Sequence, residues 1–170
     1  DVEERAVRQA TLYSGARQAY IIEEPLAAAL GAGINIAGAT GNMVVDIGGG
    51  TSDIAVLSLG GIVCNASLRI GGDKFDESII RYVRREYNLM IGDRTAEELK
   101  IQVGTAWVTD ENRNRVMDIR GRDLLTGLPK TVQISSYESW MAMQEPLAAV
   151  IEGVKKVLEI TPPELAADIV

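Results

Sequence analysis

The segment of this sequence best suited to chemistry is Asp46-Ile47-Gly48-Gly49-Gly50-Thr51. An acidic residue ends an apolar stretch, three glycines follow, and a hydroxyl residue opens the next apolar stretch. Glycines allow backbone N–H groups to approach and bond the oxygens of a phosphate group. The carboxylate of Asp46 can hold Mg²⁺ through water, and the hydroxyl of Thr51 can orient a neighbouring group. A glycine-rich hairpin turn without a ligand is the alternative explanation of the same six residues.

The two commoner glycine signatures of phosphate binding do not fit this sequence. No lysine follows Gly50 to complete a P-loop. The spacing of Gly31, Gly33 and Gly38 also differs from the GxGxxG pattern of dinucleotide-binding folds. The segment 46–51 must therefore be judged on its own composition.

The composition narrows the chemistry further. The 170 residues include no histidine and one cysteine, Cys64, which excludes a Ser-His-Asp triad, a Cys-His pair and a histidine zinc site. The remaining groups favour phosphate chemistry, in which electrostatics and positioning do most of the catalysis. The net charge of -7 argues against a nucleic-acid partner. A single cysteine and the lack of an apolar run near the roughly 18 residues of a membrane span predict a cytoplasmic protein.

Three further charged residues are candidates for a site. Glu24 precedes Pro25, which suits the first turn of a helix, so we expect Glu24 at a strand-to-helix junction on the edge of a cleft. A similar Glu-Pro step at Glu145 lies within a long amphipathic pattern, which predicts an exposed helix surface there. Glu97 and Lys100 lie three residues apart on one helical face, and an exposed ion pair explains this spacing without any ligand.

Hydrophobic periodicity predicts the elements that carry these residues. The helices predicted before Gly71 cover 2–14 and 26–30. The strands predicted there are a short buried strand over 19–22 and a meander over 43–47, 51–59 and 62–70. Gly60 and Gly61 are expected to form the turn between the last two strands.

A second set of elements is predicted after Gly72. Asp73 is expected to cap one helix, and Thr95 with Glu98 to form a capping box at the start of another. Strands over 116–124 and 130–134 form a predicted hairpin. The last elements are a long helix opened by a Ser135–Glu138 capping box and kinked at Pro146, and a final helix capped by Thr161.

These motifs, in this order, resemble the MreB family of rod-shape-determining bacterial actin homologues. The segments that carry the resemblance are Ile22-Glu23-Glu24-Pro25, the loop 46–51, Gly71-Gly72-Asp73-Lys74, Thr95-Ala96-Glu97-Glu98-Leu99-Lys100, Gly121-Arg122-Asp123-Leu124 and Thr161-Pro162-Pro163-Glu164-Leu165-Ala166. The resemblance implies an α/β, actin-like ATPase fold of two lobes that close on Mg-ATP. This chain resembles the second lobe, with a ribonuclease H-like core over 1–72 and 136–170 and an inserted, smaller α+β subdomain over 73–135.

The resemblance also implies roles for individual residues. The residues implied to bind the β- and γ-phosphates are Gly48, Gly49, Gly50 and Thr51. The residues implied to face the adenosine are Gly71, Gly72, Glu97 and Lys100. Asp46 would support Mg²⁺ through water, and Glu24, helped by Thr51, would position the attacking water. A water that attacks a phosphate needs orientation more than a strong base, which agrees with the groups available.

The function implied is that of a filament-forming ATPase that determines rod shape by organising cell-wall synthesis. Its implied partners are ATP, further copies of itself and cell-wall elongation scaffold proteins. The implied location is the inner face of the plasma membrane, with membrane association through the first lobe. Because one lobe supplies only one wall of the cleft, we expect this chain alone to bind ATP weakly and to hydrolyse it negligibly. A chaperone-type ATPase of the same superfamily is the alternative.

Overall fold

Helices and strands form two groups along the chain, each with its own three-stranded antiparallel sheet. The computed structural model describes residues 2–169. The first group contains α1 (Val2–Tyr13), α2 (Glu24–Gly31), β1 (Asn42–Ile47), β2 (Ser52–Ser58) and β3 (Gly61–Leu68). The second contains α3 (Gly72–Tyr87), β4 (Leu89–Met90), α4 (Asp93–Val103), β5 (Val116–Asp123), β6 (Pro129–Ser135) and α5 (Ser136–Ala142). The chain then returns to the first sheet through α6 (Gln144–Ile160) and α7 (Pro163–Ala166).

β2 is the central strand of the first sheet and is buried on both faces. Ile54 and Val56 face α6, whereas Ala55 and Leu57 face α2. A strand covered on both faces has a continuous apolar run rather than an alternating pattern. The predicted meander is confirmed, but the β2–β3 turn lies at residues 59 and 60, both with positive φ as in a type I′ turn, and not at 60 and 61.

The second sheet packs against α3, α4 and α5, and its core continues into α6. On α3 the residues Phe75, Ile79 and Val83 recur every four positions and are buried, as the sequence pattern predicts. β5 and β6 form the predicted hairpin. β4 has two residues and is too short to show any periodicity. The boundaries of the inserted subdomain at 73 and 135 stay a prediction.

The segment 19–22 is not a strand in the structure. Among residues 2–169, neither sheet includes it. Ile21 and Ile22 are each 51% exposed, and the preceding α1, which confirms the helix predicted over 2–14, has no buried residue. An apolar pattern alone does not make a strand, because a strand also needs a neighbouring backbone with which to exchange hydrogen bonds.

Two predicted helix caps are wrong because glycine takes the capping position in both cases. Gly71 is the N-cap of α3, which places Asp73 in the first turn of the helix. Gly92 is the N-cap of α4, so Thr95 lies inside the helix and the Thr95–Glu98 capping box does not form. Glycine is accepted at N-caps, and an acidic residue in the first turn still interacts favourably with the helix dipole.

The region around Pro146 confirms one capping box and one break. The hydroxyl of Ser135 accepts a hydrogen bond from the N–H of Glu138, whose carboxylate accepts one from the N–H of Ser135. The predicted long helix is divided into α5, which ends at Ala142, and α6, which begins at Gln144. Pro146 has no N–H to donate to the Ala142 carbonyl, and its ring clashes with that carbonyl.

The C-terminal helices differ from the prediction at their junction. The buried hydroxyl of Thr161 donates to the carbonyl of Val157 at 2.7 Å, so Thr161 ends α6, and Pro162 is the residue before α7. A glycine turn does not separate the two helices, and a side-chain cap is not needed where a proline can open the second one. No helix within residues 2–169 is long and apolar enough to cross a bilayer.

Candidate phosphate-binding site

The loop 48–51 closes the β1–β2 hairpin with four exposed residues. The N–H of Gly48 donates to the carbonyl of Thr51 at 2.9 Å, which fixes the turn. Ile47 and Ser52 are the last paired residues on either side of the loop. The glycines and the hydroxyl residue that the sequence singled out therefore form one exposed turn at the end of the first sheet.

The N-terminus of α3 holds this loop and orients its amides. The N–H of Gly72 donates to the carbonyl of Gly48, and the N–H of Asp73 donates to the carbonyl of Gly49, both at 2.9 Å. Within a trans peptide unit the C=O and the following N–H point in opposite directions. The N–H groups of Gly49 and Gly50 therefore point away from α3, toward the exposed side of the loop, where they can donate to an anion.

Gly71 makes this close approach possible. A Cβ atom at Gly71 would lie 2.4 Å from the carbonyl oxygen of Gly49 and 2.6 Å from that of Gly48. The backbone of Gly71 is extended, with φ -152°, a conformation that any residue adopts. The contact with the loop, and not the backbone conformation, therefore requires glycine at this position.

Lys100 of α4 is bonded to the first turn of α3. Its Nζ donates to the carbonyl of Gly72 at 3.1 Å and to Oδ2 of Asp76 at 2.9 Å. The two charged side chains are largely buried, with 24% of Lys100 and 13% of Asp76 exposed. Glu97 lies one turn earlier on α4 and is exposed. Lys100 thus pairs with α3 and fixes the helix end that holds the loop.

Asp46 lies at the other end of the loop and faces a second carboxylate. Asp46 and Asp53 are directly opposite each other in the β1–β2 register. Like charges in this arrangement repel, and a bound cation would relieve the repulsion. Mg²⁺ is typically held by one or two carboxylates, waters and substrate phosphates, so this pair beside the glycine loop fits Mg²⁺. Among residues 2–169 no cluster of three or more metal-ligating side chains is present.

Glu24 and Asp46 lie toward the same face of the first sheet. Glu24 is the first residue of α2 and is exposed, with Pro25 following it as predicted. α2 packs through Ala29 onto the face of β1 that carries Val44. Asp46 is two residues beyond Val44 and so shares that face. The structure thus places Glu24 on the helix that covers the acidic end of the hairpin.

An open depression of about 410 Å³ adjoins the loop and α3. It extends from Gly48 and Gly72 past Lys100 to the junction of α5 and α6. The apolar side chains that line it are Ile47, Phe75, Met143 and Leu147. A mostly apolar surface with a few polar groups at its edge is typical of a site for a flat organic ligand.

The sequence interpretation missed two residues of this region. Asp53 is as far from the loop centre as Asp46, so pairing the two sides of the hairpin would have indicated it. Asp76 offered no comparable signal, because its contact with Lys100 joins residues 24 positions apart on two different helices.

Comparison with known proteins identifies the family. The family model described as MreB/Mbl protein matches residues 1–170. This chain belongs to the MreB/Mbl family. It is 50% identical over 169 residues to the cell shape-determining protein Mbl of Bacillus subtilis (strain 168). It is 51% identical over 168 residues to the cell shape-determining protein MreB of Escherichia coli (strain K12).

The MreB/Mbl relatives are about twice as long as this chain. The two alignments cover 99% of this chain but 50% and 48% of the relatives. A crystal structure of MreB5 of Spiroplasma citri bound to ADP superposes with a TM-score of 0.94 at 42% identity, covering 99% of this chain and 50% of that one. The predicted family and the actin-like α/β fold are confirmed, and the chain spans about half the length of the family members it matches.

Proposed function

We propose that this chain forms one wall of a cleft that binds Mg-ATP in an actin-like ATPase. The observation that carries the proposal is the loop 48–51, whose outward N–H groups are fixed by hydrogen bonds from the N-terminus of α3. A loop held in this way is ordered before it binds, so little conformational entropy is lost when a phosphate arrives. The relative from Spiroplasma citri was crystallised with ADP and with AMPPNP, which supports a nucleotide as the ligand.

The phosphate side of the proposed site is the hairpin end. Its phosphate-binding residues are Gly48, Gly49, Gly50 and Thr51, which offer backbone N–H groups and one hydroxyl. Asp46, opposite Asp53, supports Mg²⁺ through water. When bound, Mg²⁺ neutralises negative charge on the phosphate oxygens.

The nucleoside side is formed by the start of α3 and by α4. Its residues are Gly71, Gly72, Glu97 and Lys100. The ammonium of Lys100 is bonded to Gly72 and Asp76, so it contributes mainly by fixing the turn that carries the two glycines. The apolar depression beside Gly72 has room for a purine base against Phe75.

Glu24 is the proposed residue that positions the attacking water, with help from Thr51. The carboxylate of Glu24 accepts a hydrogen bond from the water and so holds its oxygen toward the γ-phosphate. Water exclusion and a fixed geometry contribute much of the rate in such a cleft, and both need a second wall. Hydrolysis is therefore assigned to the complete protein, and this chain alone is expected to turn over ATP negligibly.

At the cellular level, we propose a polymer that determines rod shape by organising cell-wall synthesis. The relatives named cell shape-determining proteins support this role. The proposed partners are further copies of the protein and cell-wall elongation scaffold proteins, and the proposed place is the cytoplasmic face of the plasma membrane. Membership of the MreB/Mbl family makes this function a better one than the chaperone-type alternative.

Phosphate release and nucleotide binding, measured separately on the complete protein, test the proposal. Glu24→Gln and Thr51→Ala are expected to lower phosphate release at least about tenfold, a barrier increase of about 1.4 kcal/mol. Both variants should bind a fluorescent ATP analogue within about threefold of wild type. Glu145→Gln, at the similar Glu-Pro step on α6, is the matched control and should release phosphate normally. Normal release by Glu24→Gln would overturn the water-positioning role.

A further inference from the structure

Three leucines crowd the turn between β5 and β6. Leu125 is 79% exposed, Leu128 is 65% exposed and Leu124 is 37% exposed. Residues at turns are usually polar because their side chains face water. Three large apolar side chains within five residues therefore form an unusual exposed patch, of the kind that marks an interaction surface. We call these three residues the head surface.

The head surface is rigid although it lies on a turn. The carboxylate of Asp123 accepts hydrogen bonds from the N–H groups of Leu125 at 2.8 Å and Thr126 at 3.1 Å. The ammonium of Lys130 pairs with the same carboxylate at 3.2 Å and also donates to the carbonyl of Tyr87. A surface that is already ordered loses little entropy when it binds, so this turn is suited to docking.

The head surface lies at the far end of α3 from the phosphate-binding loop. α3 starts at the loop, where Gly72 bonds to Gly48, and its 16 residues extend roughly 24 Å. Just beyond its end, the N–H of Leu124 donates to the carbonyl of Asn88 at 2.8 Å. The first sheet is therefore at one end of α3 and the head surface at the other.

α6 runs in the opposite direction to α3. Near its start, Glu145 pairs with Arg81 of α3 at 3.3 Å. Near its end, Thr161 contacts Cys64 of β3 in the first sheet. The end of α6 and the head surface thus lie at opposite ends of the molecule, roughly 30 Å apart by the rise per residue of the two helices.

The end of α6 and the start of α7 carry acidic and apolar groups. Residues 157–169 include three carboxylates and no basic side chain. Ile160 is 64% exposed, and Pro162, Pro163 and Glu164 are exposed after it. We call these four residues the tail surface.

The two surfaces are complementary in charge. The head surface is flanked on β5 by Arg120 and Arg122, which are both exposed. The one acidic neighbour, Asp123, already pairs with Lys130. One end of the molecule is therefore apolar with a basic flank, and the other is apolar with acidic groups, although the chain as a whole has a net charge of -7.

We infer that the head surface docks on the tail surface of a second copy of this chain. The two surfaces differ, so the contact is heterologous and repeats in a line without closing on itself, as an open filament requires. A second copy is the occupant that the charges favour, because each copy supplies both complementary ends. The inference deepens the polymer function proposed above and rests on it.

A mixing experiment on the complete protein with ATP tests the contact. Leu125→Asp removes the head by placing a charge in the apolar patch, and Glu164→Lys removes the tail by reversing its charge. Each variant alone should stay monomeric in sedimentation velocity, with a critical concentration for pelleting raised at least tenfold. An equimolar mixture should form dimers and no longer species, because one intact head and one intact tail remain. Leu59→Asp, at another exposed turn leucine, is the matched control and should polymerise like wild type.

The outcomes separate this contact from the proposed function. If wild type pellets with ATP and Leu125→Asp pellets equally well, the head surface is not the contact and only this inference falls. A mixture that stays monomeric, or that grows filaments, also overturns the pairing of head with tail. If wild type does not pellet at any concentration, the polymer function fails and the inference fails with it.

Discussion

Replacing Gly71 with alanine should separate the phosphate-binding loop from α3. The added Cβ would lie 2.4 Å from the carbonyl oxygen of Gly49, whereas ordinary contacts begin at 3.4 Å, so the loop must move by about 1 Å. The same movement stretches the two hydrogen bonds that Gly48 and Gly49 accept from the start of α3. Losing them costs about 1–3 kcal/mol, and residual overpacking adds about 1 kcal/mol, for a total near 2–4 kcal/mol.

Urea denaturation of the chain measures this loss. With a slope of about 2 kcal/mol per molar urea, the midpoint of Gly71→Ala should fall by about 1–2 M. Gly50→Ala is the matched control for stability, because a Cβ there meets nothing within 4 Å. Equal midpoints for the two variants would show that the loop does not pack against α3 as described, and would refute the reasoning.

Three further changes test the contacts around the site and the head surface. Lys100→Met leaves the largely buried Asp76 without its partner and should lower the free energy of unfolding by about 2 kcal/mol, with part regained in Lys100→Met/Asp76→Leu; no recovery in this cycle would contradict the pairing. The hydrogen bond to Glu138, together with burial, raises the pKa of Tyr87 to about 12, so its stabilisation should hold below pH 10 and be lost toward pH 12, and Tyr87→Phe should remove about 1 kcal/mol at neutral pH in urea denaturation. Backbone N–H groups of Thr126 and Leu125 and the side chain of Lys130 lower the pKa of Asp123, so its stabilisation is present at neutral pH and lost as pH falls below about 4; a melting temperature of Asp123→Asn equal to wild type at pH 7 would oppose this.

The parts of the fold that the sequence predicted have local causes. The buried face of α3 shows in the spacing of Phe75, Ile79 and Val83, because one face of a helix recurs every three to four residues. The Ser135–Glu138 capping box is predictable because both partners lie within one turn. The break before Pro146 follows from the chemistry of proline alone.

The parts that the sequence did not predict depend on distant contacts or on glycine. Gly71 and Gly92 cap helices without a side chain, so they leave no capping signal. The segment 19–22 has a strand-like pattern, but a strand also needs a partner backbone, which the pattern does not encode.

The candidate site divides in the same way. The loop 48–51 was predictable because consecutive glycines after an aspartate have few structural reasons other than close approach to a ligand. The hydrogen bonds that aim its amides come from residues 72 and 73, and the Lys100–Asp76 pair joins two helices. Such contacts depend on how α3 and α4 pack, which no local pattern specifies.

Titration of the ¹⁵N-labelled chain with Mg-ATP tests most directly whether the loop 48–51 binds phosphate. We predict that the amide signals of Gly49 and Gly50 shift the most, because their N–H groups point out of the loop, with a dissociation constant on the order of 1 mM for a single wall of the cleft. Adenosine without phosphates should leave these two signals in place. Unchanged signals for Gly49 and Gly50 at saturating Mg-ATP, or equal shifts with adenosine, would contradict the phosphate-binding role of the loop.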